Sequence, residues 1–125
     1  MIKLLLIVNT LLTFPFGVAA LAAPAEVFAQ FGVKLDAGGS LVARGYAATL
    51  VGYGLALWLL RDAGEAKVTR PLLLSLVAFN AIEAIIQGLA GVQGIAMPII
   101  FANAALHAVV CAACGYAYLR RARAK

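Results

Sequence analysis

Asn80-Ala81-Ile82-Glu83-Ala84-Ile85-Ile86-Gln87 lies inside one of the longest apolar runs of the chain. Three polar side chains interrupt it: Asn80, Glu83 and Gln87. At about 100° per residue on a helix, they fall within roughly 60° of one another. A carboxylate flanked by two amides, in a segment otherwise fit for lipid, has to face inward, because an unpaired polar group is costly in hydrocarbon. The stretch therefore predicts one helix of a multispanning bundle with a polar interior.

The rest of the chain fits that frame. It has 125 residues, of which 65% are hydrophobic and 12% charged, with a mean hydropathy of +1.01. Soluble domains are about a quarter charged and about half apolar or less. The length supplies four spanning helices of about 20 residues each and leaves no room for a separate soluble domain. The expectation is an all-α membrane protein, a single four-transmembrane-helix bundle with helices at about 4–23, 41–60, 71–90 and 99–119.

The first segment starts after Lys3 and ends Ala20-Leu21-Ala22-Ala23-Pro24. That also resembles a signal peptide, but its uncharged stretch exceeds the usual 7–15 or so residues of a signal core. A retained helix is expected, kinked at Pro15. Asn9 and Thr13 share one of its faces. Residues 24–40 read as a connector in which Val27, Phe28 and Phe31 dip into the membrane interface. The second segment carries a small-residue row, Ala48, Gly52 and Ala56, suited to close helix packing. Its 16 uncharged residues between Arg44 and Arg61 span about 24 Å, so Arg44 belongs near an interface. The third segment is expected to begin at Pro71, as a first-turn proline.

Orientation follows from the basic residues. Lys3, Arg61, Lys67, Arg70, Arg120, Arg121, Arg123 and Lys125 fall on one side of a four-span arrangement, and Lys34 and Arg44 on the other. Eight against two predicts both termini and the middle loop on the cytoplasmic side. The net charge of +5 is topogenic on this reading. Nothing resembles a basic, aromatic-interleaved nucleic-acid surface. The arginine-rich tail suffices as an orientation signal, with anionic lipid headgroups as its other possible partner.

Most polar side chains of the spans gather in the outer half of the bundle. Glu83 lies about 10 Å from the outer end of its helix, and Asn103, His107, Tyr46 and Thr49 are at similar depths. Glu83 is the central candidate, able to carry a proton, bind a cation or hydrogen-bond a ligand. Its structural alternatives are a pair with Arg44 or His107, or a neutral carboxyl bonded to Tyr46, Asn80 or Gln87. Arg44 faces nearly opposite to Tyr46 on the second helix, which weakens that ion pair. On the fourth helix, Asn103, His107, Cys111, Cys114 and Tyr118 fall within about 80°. His107 is the sole histidine, so it is better read as a satisfied interior group than as a metal or haem ligand. Cys111 and Cys114 form a C-x-x-C far from any helix N-terminus and read as small packing residues. The glycines lack the strand, Lys and Ser or Thr of a phosphate loop.

Arg44-Gly45-Tyr46-Ala47-Ala48-Thr49-Leu50-Val51-Gly52-Tyr53-Gly54 leads into Trp58-Leu59-Leu60-Arg61. It follows an apolar start ending in Ala-Pro and a Phe-Gly connector, and precedes a Gly-rich turn before the last helix. The whole resembles a broad group of small four-span bacterial membrane proteins of unknown function, loosely DoxX-like. The resemblance implies fold and an inner-membrane location, and brings no catalytic residues. The leading expectation is a non-enzymatic accessory or small-ligand-binding bundle. Its polar pocket would contain Glu83, Asn80, Gln87, Asn103, His107, Arg44 and Tyr46. The alternatives are an oligomeric proton, cation or solute transporter and a thiol or haem redox protein. The expected partners are membrane lipid and further copies or a larger membrane complex, without nucleic acid, resident metal or cofactor.

Overall fold

The computed structural model describes residues 1–123, with side chains described through Arg121. All regular secondary structure among them is helical: α1 (Ile2–Ala22), α2 (Pro24–Ala29), α3 (Ala37–Leu59), α4 (Ala66–Val92) and α5 (Ile99–Arg123). Three of these, α1, α4 and α5, are long and apolar enough to cross a membrane. The second expected span, α3, is 23 residues long but contains Arg44, Tyr46, Tyr53 and five glycines, and is not among the three. Lys125 of the basic tail lies outside the described residues.

The helix starts follow local chemistry. α3 begins earlier than the apolar pattern suggests, because Asp36 caps it: its Oδ1 accepts the Gly39 N–H at 2.6 Å. α4 begins at Ala66, so Pro71 sits inside the helix and not in its first turn. Pro71 removes only the donor that would reach the Lys67 carbonyl, in an exposed part of the helix. α5 continues through the basic tail to Arg123.

The helices pack as two close pairs, α1 with α3 and α4 with α5. α1 also touches α5, so the order around the bundle is α3, α1, α5, α4. α3 and α4 are consecutive long helices, yet they do not approach closely by backbone. Side chains close that seam, including the Tyr53 and Phe79 rings, 5.1 Å apart.

The close approach of α1 and α3 does not use the expected row. Ala48, Gly52 and Ala56 all face outward, and a Cβ at Gly52 would meet nothing within 4 Å. The buried row is Ala43, Ala47, Leu50 and Gly54. A Cβ added at Gly54 would lie 2.8 Å from the Phe14 Cβ, and one at Gly17 would lie 2.9 Å from the Ala47 carbonyl oxygen.

The two ends of the bundle differ. At one end Leu6, Leu57, Leu73, Leu76, Val110, Cys114 and Ala117 fill a solid core fed by all four long helices. Outside it, Lys3 pairs with Asp62 at 2.6 Å. Arg121 donates to the Thr69 hydroxyl at 2.6 Å and to the Gly64 carbonyl. The tail arginine thus ties α5 to the α3–α4 loop, a role its reading as a topological signal did not include. The opposite end is hollow.

Candidate functional site: a cavity around Glu83

The hollow end holds a half-open cavity of about 430 Å³. Its walls come from α1 (Leu12, Thr13, Phe16), α3 (Tyr46, Leu50), α4 (Phe79, Glu83, Gln87) and α5 (Ile100, Asn103, His107). Phe28 of α2 and Phe31 of the connector close it, together with Ala96 from the turn before α5. Phe28 and Phe31, read from the sequence as dipping into the membrane interface, also have partners within the protein. They pack against Phe16, with ring centroids 6.1 and 6.4 Å away.

This cover is pinned at one point. The Met97 N–H donates to the Phe31 carbonyl at 2.7 Å. The chain reaches that position by a left-handed turn at Gly32, φ +77°. A side chain there would be strained and would place its Cβ 2.6 Å from the Met97 Cγ.

Inward and outward faces of α4 divide as the sequence pattern requires. Asn80 is fully buried, while Ile82, Ile85 and Leu89 are 55%, 61% and 53% exposed. Glu83 is half-buried and faces the cavity. Its Oε1 accepts from the Tyr46 hydroxyl at 2.8 Å. Its Oε2 accepts from the Gln87 Nε2, also at 2.8 Å. Among the described residues, no Lys or Arg is within ion-pair distance of it. Arg44 is exposed and directs its Nε to the Leu21 carbonyl on α1, at 3.3 Å. The alternative in which Arg44 pairs with Glu83 is therefore not the arrangement seen. The turn of α3 that gives Tyr46 to Glu83 sends Arg44 toward α1.

Asn80 does not join Glu83 either. It belongs to a second polar cluster deeper in the bundle. The Asn80 Nδ2 donates to the Asn9 Oδ1 and to the Leu76 carbonyl, each at 2.9 Å. Two acceptors at the nitrogen fix the orientation of the amide, so Oδ1 faces the His107 Nδ1 at 2.8 Å. An amide oxygen only accepts, so His107 must donate from Nδ1. A neutral ring then keeps Nε2 as an acceptor. Phe79 packs edge-on to the imidazole, 6.1 Å between centroids.

Asn9 is the partner that inspection of single helices did not supply. Its Nδ2 donates to the Leu5 carbonyl at 2.8 Å, and it is 1% exposed. The signal was present, since Asn9, Thr13 and Phe16 are spaced for one helical face. The aromatic lining by Phe16, Phe28, Phe31 and Phe79 was also missed, because apolar residues in apolar segments carry no mark of facing a void.

Cys111 and Cys114 are both free thiols. Cys114 is fully buried in the solid core, and Cys111 donates to the Val77 carbonyl at 3.5 Å. Among the described residues, no three His, Cys, Asp or Glu side chains gather as a metal site requires.

Compared with protein-family models, curated proteins and solved structures, the chain matches none. What the site can do is therefore argued from its own chemistry. It joins an aromatic, apolar chamber to one carboxylate and a few convergent polar groups. That is the general composition of small-molecule pockets, whose volumes run from about 300 to 1,000 Å³.

Proposed function

We propose that this protein is a four-span integral membrane bundle that binds a small amphiphilic molecule in the cavity around Glu83. The observation that carries the proposal is the half-open cavity of about 430 Å³ that Glu83, Gln87, Asn103 and His107 line together. Protein interiors are otherwise close-packed, with few voids larger than a water molecule. A chamber of this size therefore calls for an occupant.

On this reading α3 is the fourth span, lying beside α1 and hiding its arginine at one interface. Both termini are cytoplasmic, by the distribution of basic residues. The membrane is a bacterial inner membrane, the location that the DoxX-like resemblance implies, and the cavity then opens toward its outer half. Entry is from lipid along the α3–α4 seam. A second void of about 180 Å³ lies against that seam and shares Tyr46, Leu50 and Phe79 with the first.

Native mass spectrometry of detergent-purified protein tests the binding role. The wild type is expected to retain a small molecule, and Ala90→Trp, which fills the cavity from its wall, is expected to lose it. Equal retention by both would place the molecule elsewhere and end the proposal. Topology is checked by impermeant thiol labelling of single cysteines in a cysteine-free background. Lys34→Cys is expected to label from outside and Gly64→Cys only from the cytoplasm.

A further inference from the structure

We propose that the occupant is a small lipophilic cation: an amine or quaternary ammonium group attached to an apolar or aromatic body. This rests on the cavity being a binding site, and it narrows the chemistry of what is bound.

Glu83 is the one acidic or basic side chain in the lining apart from His107. Its two oxygens take neutral donors, Tyr46 and Gln87. An ionised carboxylate offers about four acceptor positions, so two remain for a ligand. The other free polar atoms are of the same kind. The Gln87 Oε1 is buried without a partner, and the His107 Nε2 is an acceptor once Nδ1 donates to Asn80. Donors are fewer: the Asn103 amide and the second N–H of Gln87, whose first goes to Glu83.

An acceptor-dominated chamber suits a ligand that is positive or donates hydrogen bonds. It does not suit phosphate or a carboxylate, whose charge repeats that of Glu83. The apolar lining adds a second preference. Phe16, Phe28, Phe31, Phe79 and Tyr46 all border the void, and aromatic faces attract cations through the ring quadrupole. In a half-buried site the attraction of the carboxylate for a cation is stronger than at an open surface. A bound cation also supplies the counter-charge that no Lys or Arg among the described residues gives Glu83.

Isothermal titration of the purified protein with phenyltrimethylammonium and with tert-butylbenzene, its uncharged isostere, tests this. The cation is expected to bind saturably and at least about tenfold more tightly than the isostere. Glu83→Gln should weaken cation binding by about tenfold or more and leave the isostere nearly unchanged. Equal affinity for the two probes in the wild type overturns the cation and leaves the cavity as a binding site. Cation binding unchanged by Glu83→Gln does the same. Binding of neither probe removes both proposals. Should Glu83→Gln not fold, the Phe28→Leu, Phe31→Leu double variant keeps the charge and removes two ring faces. It should weaken the cation more than the isostere, and equal loss of both overturns the cation.

Discussion

Asn80 holds three helices together with one amide. It joins α4 to Asn9 of α1 and to His107 of α5 while donating back to its own helix. Replacing it with Leu strands the Asn9 oxygen and the His107 N–H in a buried site. Each such group costs about 1–3 kcal/mol, and Asn80→Leu should lower stability in detergent accordingly. Asn103→Leu is the control, because Asn103 lines the void. It should stay within about 0.5 kcal/mol. Thermal unfolding of the two variants side by side decides it. At this scale, periodicity was enough to show that Asn80, Glu83 and Gln87 face inward. It did not divide them, and in the fold Asn80 is structural while Glu83 and Gln87 border the cavity.

At the scale of elements, α1 and α3 show what small residues do when backbones meet. Gly54 touches Phe14 and Thr13, whereas Gly52 points into open space. Gly54→Ala should therefore destabilise by about 1–3 kcal/mol through overpacking. Gly52→Ala should be neutral or stabilising by up to about 1 kcal/mol, through helix propensity alone. A matched loss in both variants would count against the packing of this pair. The expected row at Ala48, Gly52 and Ala56 was as good a pattern as the real one at Ala43, Ala47 and Gly54. Small residues recur around much of α3, so spacing alone could not choose the face. The same limit applied to Pro71, whose place in a helix depends on how far the polar residues before it continue the coil.

The whole molecule is closed at one end and hollow at the other. The closed end is fastened by charge. Lys3 beside Asp62 holds its carboxyl below the usual carboxylate range. A depressed value in the fold means that the contribution is present above the unfolded-state pKa. It is lost as pH falls through the folded one. The melting temperature of Asp62→Asn should therefore fall below that of the wild type near neutral pH and converge with it in acid. Because the pair is exposed, the difference should also shrink in high salt. A gap that persists in acid would mean that Asp62 acts through something other than this ion pair.

The sequence by itself determined that the chain is helical, apolar enough to belong in a membrane, and polar along one face of several helices. Those properties are written in composition and in the 3.6-residue period, and they need no neighbour. Only the tertiary structure decided which polar groups meet. The order α3, α1, α5, α4 sets Asn9 against Asn80 and brings Tyr46 to Glu83, while Arg44 is carried to the Leu21 carbonyl. A helical wheel gives each side chain a direction on its own axis. The rotation of that axis, and the helix that stands opposite, are fixed by packing between distant parts of the chain.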